Sequence, residues 1–227
     1  MIVGLATFGC GGSSNHGTGI TNSPYLGSYV GTFSYNGGGV GEFAVYVASD
    51  GSVTGRGVNV TFPAAQTLSG TINNSGLIGV TSSGTAGSTT YAGSLALTLS
   101  NTLTGTIKGV NGNTTSIAVS APTIAGLSAF AGSYHGSFTN SSSQNNNLTL
   151  IIDGQGNITG VDQNTATSTF STLTGTVQSN GTVSMTSSSG GGTISGTFSV
   201  ANSILTGSLN GNGSLPTSIS LTQDTKH

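Results

Sequence analysis

The stretch Tyr25-Leu-Gly-Ser-Tyr-Val-Gly-Thr-Phe33 returns 105 residues later as Phe130-Ala-Gly-Ser-Tyr-His-Gly-Ser-Phe138. In both, aromatic residues alternate with small or polar ones, the period of a strand with one face buried. Tyr29, Gly31 and Phe33 share one face, as do Tyr134, Gly136 and Phe138, and these aromatics are expected inside the fold. Further matches follow in the same order. Leu68-Ser-Gly-Thr-Ile72 answers Leu173-Thr-Gly-Thr-Val177, Tyr91-Ala-Gly-Ser-Leu95 answers Ile194-Ser-Gly-Thr-Phe198, and Leu103-Thr-Gly-Thr-Ile107 answers Leu205-Thr-Gly-Ser-Leu209. Asp50-Gly51 aligns with Asp153-Gly154, with a two-residue difference in the turn that follows. So many ordered matches make the chain two copies of one unit, joined near Ala121-Pro122.

Within the first copy, short alternating runs predict strands near residues 28–35, 41–48, 52–60, 66–73, 77–83, 90–98, 102–109 and 115–120. Asp50-Gly51, Asn74-Ser75-Gly76 and Asn111-Gly112 are the predicted hairpin turns, where Gly and Asn supply the positive φ that tight connections need. Asp153 and Gly154 are the corresponding turn residues of the second copy. Eight sequential strands form an antiparallel meander, and closing it removes two exposed edges. The predicted fold class is all-β: two tandem eight-stranded antiparallel meander barrels of about 100 residues each, at 24–121 and 122–227. The alternative is one continuous large antiparallel sheet, barrel or sandwich.

Composition agrees. Gly, Ser, Thr and Asn make up more than half of the 227 residues, a poor background for helices, whereas the 33% apolar content arrives in short alternating runs unlike a disordered chain. Only 4% is charged, with a net charge of −2, which leaves no basic stripe for nucleic acid.

The N-terminus reads Met1-Ile-Val-Gly-Leu-Ala-Thr-Phe-Gly9-Cys10, followed by Gly-Gly-Ser-Ser-Asn. An apolar run ending in Gly-Cys resembles the end of a bacterial lipoprotein signal peptide. The resemblance implies cleavage before Cys10, a diacylglycerol on its thiol, and anchorage at the outer membrane or cell surface. Residues 1–9 are then a truncated signal-like segment, too short for a complete signal, which implies a true start upstream. Residues 10–23, without apolar periodicity, are a flexible tether. A lone cysteine forms no internal disulfide and no Cys-based zinc site.

The order of a Gly-Ser-Tyr strand, an Asp-Gly hairpin and successive Leu-Thr-Gly-Thr strands looks like the calycin-type barrels, especially the avidin-like meander. That resemblance implies an eight-stranded barrel and, for calycins, a small apolar ligand inside it. The avidin-like pocket relies on tryptophans and this chain has none, so biotin binding is not carried over.

Little material for catalysis remains. His16 lies in the tether, His227 at the C-terminus, and His135 on the strand face opposite the aromatic stripe, where it is expected to face solvent. No catalytic residue, metal ligand or cofactor is predicted. Asp50 and Asp153 are read as turn-stabilising, with a calcium loop at Asp153-Gly-Gln-Gly-Asn157 as the sharper alternative. Asn145-Asn146-Asn147 is expected in a Ser/Asn loop of the second copy able to carry binding specificity. The predicted function is a non-catalytic exported surface lipoprotein with a binding or adhesion role, its partner a glycan or protein. The alternative is a calycin-like carrier of a small apolar ligand, to be separated from the first by the volume inside the barrels.

Overall fold

A computed structural model describes residues 22–34, 38–85, 87–100, 102–109, 117–122, 129–139, 143–189, 191–211 and 218–224. The first eight strands are β1 (Gly27–Ser34), β2 (Val40–Val47), β3 (Ser52–Asn59), β4 (Ala64–Ile72), β5 (Leu77–Gly84), β6 (Gly87–Leu97), β7 (Thr102–Gly109) and β8 (Ile117–Pro122). The second eight are β9 (Gly132–Thr139), β10 (Asn145–Ile152), β11 (Asn157–Asn164), β12 (Thr169–Val177), β13 (Thr182–Ser187), β14 (Thr193–Ala201), β15 (Ile204–Gly211) and β16 (Ser218–Gln223). Each set pairs antiparallel in sequence order and closes on itself, β1 with β8 through Thr32 and Ser120, and β9 with β16 through His135 and Thr222. The fold is two tandem barrels, not one continuous sheet.

Buried and more exposed residues alternate along β13–β16, while β10 and β11 are buried on both faces over part of their length. Tyr29 and Tyr134 are fully buried, and in each copy the phenol donates to the carbonyl four residues earlier, at 2.8 Å to Tyr25 in the first and 2.8 Å to Phe130 in the second. This tucks the incoming segment over one end of the barrel. The repeated Gly within Thr-Gly-Thr has a packing cause: a Cβ on Gly70 would strike the Gly79 carbonyl, and one on Gly175 the Ser184 carbonyl.

The turn register differs from the sequence expectation. Gly51 and Gly156 hold the equivalent positive φ of 82° and 84°, and the two β-hairpins have the same length. Ala48 and Asp153 play the same part, each accepting from the glycine three residues on and donating to the residue after it. Asp50 therefore corresponds to Gln155, and Gly154 is not the positive-φ glycine. The shared Asp-Gly spelling misled because turn geometry fixes the glycine, while an Asp can cap from either of two places. Asn145-Asn146-Asn147 is a second correction. These residues open β10, and Asn146 points inward, only 2% exposed.

The barrels share a junction. Val30, Ala44 and Val58 on the outside of β1–β3 pack against Ile151 and Val161 of β10 and β11, with Phe170 beside them. Outward apolar residues on three adjacent strands are otherwise unexplained in a barrel that has its own interior core; here they make a third core joining the two bodies.

Candidate functional site

Barrel 1 holds a partly open cavity of about 80 Å³. Its wall is almost wholly aliphatic and aromatic, with Val45, Val47, Val53, Ile72, Val80, Leu95, Leu103 and Ile107 toward the middle and the tyrosine-capped end. Toward the other end stand Phe33, Gln66, Ser82 and Tyr91, with the Ser82 hydroxyl donating to Gln66 Oε1 at 2.5 Å. An engineered apolar cavity that holds benzene or xenon measures roughly 150 Å³, so this space suits a slender group rather than a calycin-sized ligand.

Barrel 2 is packed differently. Val45, Val47, Val53, Val80 and Leu95 have as counterparts the larger Leu150, Ile152, Ile158, Met185 and Phe198, all buried in one cluster. The exchange reverses at Phe43, Ile72, Ile78 and Tyr91, answered by Leu148, Val177, Val183 and Ile194, so the second interior is repacked rather than simply enlarged. Where barrel 1 has Gly41 and Gly57, barrel 2 has Asn146 and Asp162, buried inside the wall with Asn146 Nδ2 donating to Asp162 Oδ1 at 2.8 Å. Burial raises the Asp162 carboxyl above its ordinary range, partly offset by that hydrogen bond, and Asn146 Oδ1 finds no partner. No local sequence signal marks this pair, because an Asn-rich run reads as a loop and only the β10–β11 register turns Asn146 inward.

Ionisable groups gather at the junction. Asp224 Oδ2 accepts from Arg56 Nε of barrel 1 at 2.6 Å and lies 2.9 Å from Nδ1 of His135 in barrel 2. His135 is therefore on the outward face, as expected, but tied to a carboxylate. A His/Asp pair is the arrangement that would suggest acid-base chemistry. Here the guanidinium already occupies the same carboxylate oxygen, which weakens Asp224 as an orienting base. Glu42, also at the junction, has its carboxyl raised by burial, against the relief of a hydrogen bond from Thr159, and its Oε2 has no partner.

The other predicted positions are local. Asp50 Oδ1 accepts from the Ser52 amide and hydroxyl, which lowers its carboxyl. Asp153 accepts from the amides of Gln155 and Asn157 and from Asn157 Nδ2, so both its oxygens serve the turn rather than a cation. Among the described residues no three His, Cys, Asp or Glu side chains gather as a metal site requires. Cys10, His16, His227, Asn111 and Gly112 lie outside the described residues.

An extended polar surface covers the outside of β13–β16, as hydroxyl rows also do on β4–β7 of barrel 1. Registered rows cross it: Thr182, Thr197, Ser208 and Ser218 in one, Ser199, Thr206 and Ser220 in the next, and Ser184, Ser195 and Asn210 on the other side. All are exposed and none is charged. No protein-family model, curated protein or solved structure matches the chain.

Proposed function

We propose that the chain is a non-catalytic binding module, exported and held by a lipid on Cys10 at a bacterial outer membrane or cell surface, whose contact surface for a glycan is the outer wall of barrel 2. The observation that carries this reading is the grid of hydroxyls and one amide on β13–β16, on strands that take no part in the junction core. Neighbouring groups on such a wall repeat at roughly 4.8 Å across strands and about 6.7 Å along them. Each hydroxyl donates and accepts, so a neutral polyhydroxylated chain finds repeated partners and no charge to desolvate. Many weak contacts of this kind add through avidity.

Electrophoresis of the full chain through gels containing neutral polysaccharides tests it. Retardation by at least one polymer is expected, and Thr197→Glu with Ser208→Glu, at the centre of the grid, should abolish it. Free migration through every polymer, or retardation indifferent to the two substitutions, counts against the reading.

The cavity of barrel 1 favours a second reading, carriage of a small apolar ligand. Its volume restricts that ligand to a slender aliphatic group. Mass spectrometry of the native mature protein tests both the lipid on Cys10 and any co-purifying occupant.

A further inference from the structure

We infer that the tyrosine-capped end of barrel 1 docks on an uncharged lipid bilayer, with Leu26, Leu77 and Leu99 as the side chains that enter it. Leu26 precedes β1, Leu77 opens β5, and Leu99 lies in the β6–β7 connection, so in an antiparallel meander all three stand at the same end. Segments of that end are bound together: the Tyr25 phenol reaches the Leu95 carbonyl at 3.4 Å, and the Leu95 amide donates to the Gly76 carbonyl at 2.8 Å.

The leucines are 43%, 58% and 108% exposed. Single exposed leucines need no explanation, but three at one end of barrel 1, against Val40 and Phe62 at the other, form the larger apolar group. The second copy carries Ala131, Thr182 and Asn202 at these positions, with Ile204 as its one large exposed apolar residue among those described. The strand-opening position of Leu77 is thus filled by threonine in the second copy, and the β14–β15 turn, with two residues between its paired ends against three in β6–β7, has no leucine.

Chain connectivity selects the occupant. Residue 22, where the described chain begins, lies at this end, and the segment back to Cys10 spans at most about 40 Å. If Cys10 carries a lipid, this end is the one held nearest the bilayer, and insertion of three leucines becomes an intramolecular step at high effective concentration. The charged group on the turns here is Asp50, an anion, which favours a zwitterionic over an anionic surface. The inference rests on the anchored reading for its biological setting, but not for its test.

The chain has no tryptophan, so a single introduced one reports its own surroundings. In the full chain with Cys10→Ser, which cannot be lipidated, Leu99→Trp is titrated with phosphatidylcholine vesicles. A blue shift of its emission at millimolar lipid is expected, and adding Leu26→Ser with Leu77→Thr should weaken partitioning about tenfold or more. Phe62→Trp, in the β3–β4 turn at the opposite end of barrel 1, should not shift. No shift at Leu99→Trp, or an equal shift at Phe62→Trp, overturns the docking face. An unmodified Cys10 in the native protein would sink the anchored reading and leave the vesicle result standing.

Discussion

Arg56 of barrel 1 donates through Nε to Asp224 of barrel 2 at 2.6 Å, joining the third strand of the first copy to the residue that follows the last strand of the second. In a chain with three basic and five acidic residues, this spends a scarce pair on the contact between copies. Both side chains keep slightly under a fifth of their exposure, so water and salt screen the pair only in part.

Asp224→Ala should therefore cost about 1–2 kcal/mol in urea unfolding, because Arg56 is left partly desolvated without its acceptor. Arg56→Lys should recover little, since the contact uses the guanidinium Nε, a planar donor that an ammonium does not reproduce. An Asp224→Ala chain as stable as the parent would mean that the ion pair contributes nothing net.

The junction core predicts the behaviour of the halves. Cut from its partner, residues 22–122 would expose Val30, Ala44 and Val58, which are nearly or wholly buried in the full chain. Separate halves should fold as barrels by circular dichroism, melt lower than the full chain, and associate when mixed. Val58→Asp should lower stability of the full chain by about 2–4 kcal/mol through an unpaired charge in that core, yet leave the isolated first half almost unchanged.

Much of this architecture is legible in the sequence because two signals coincide. Alternation gives the strands, and the Tyr25–Phe33 repeat gives the duplication, so the inward Tyr29 and Tyr134 follow directly. The junction is not legible, because Val30, Ala44 and Val58 sit at outward positions where alternation predicts polar residues, and only tertiary structure shows what covers them. Likewise Asn146 and Asp162 read as surface residues by type, and only register turns them inward. The hydroxyl wall was visible as composition, but its rows depend on pairings that no local pattern fixes.

Asp162 gives a pH dependence whose sign can be stated. Its native carboxyl titrates above the ordinary value of 3.8 because burial disfavours the charge, so the folded state holds this proton more tightly than the unfolded chain. Its stabilising contribution is complete below that ordinary value and is lost as pH rises through the raised native one. Glu42 acts in the same direction from its ordinary 4.5. Asp162→Asn should raise the urea midpoint at pH 7, leave it nearly unchanged at pH 3, and flatten the decline between them. A variant whose midpoint tracks the parent at every pH would contradict a raised native carboxyl.

The unequal interiors predict unequal responses to filling. Val45→Leu with Val80→Met gives barrel 1 the residues that barrel 2 carries at those positions, Leu150 and Met185. With about 80 Å³ to occupy, the added atoms should stabilise the chain by about 1 kcal/mol, and binding of slender aliphatic probes by ligand-observed NMR should be lost. The reverse pair, Leu150→Val with Met185→Val, opens space in a packed barrel and should destabilise by about 2–3 kcal/mol. Barrel 1 tolerating added volume while barrel 2 suffers from its removal is the asymmetry expected if only the first copy keeps room for a guest; equal losses from both exchanges would mean that the cavity is already closed by rearrangement in solution.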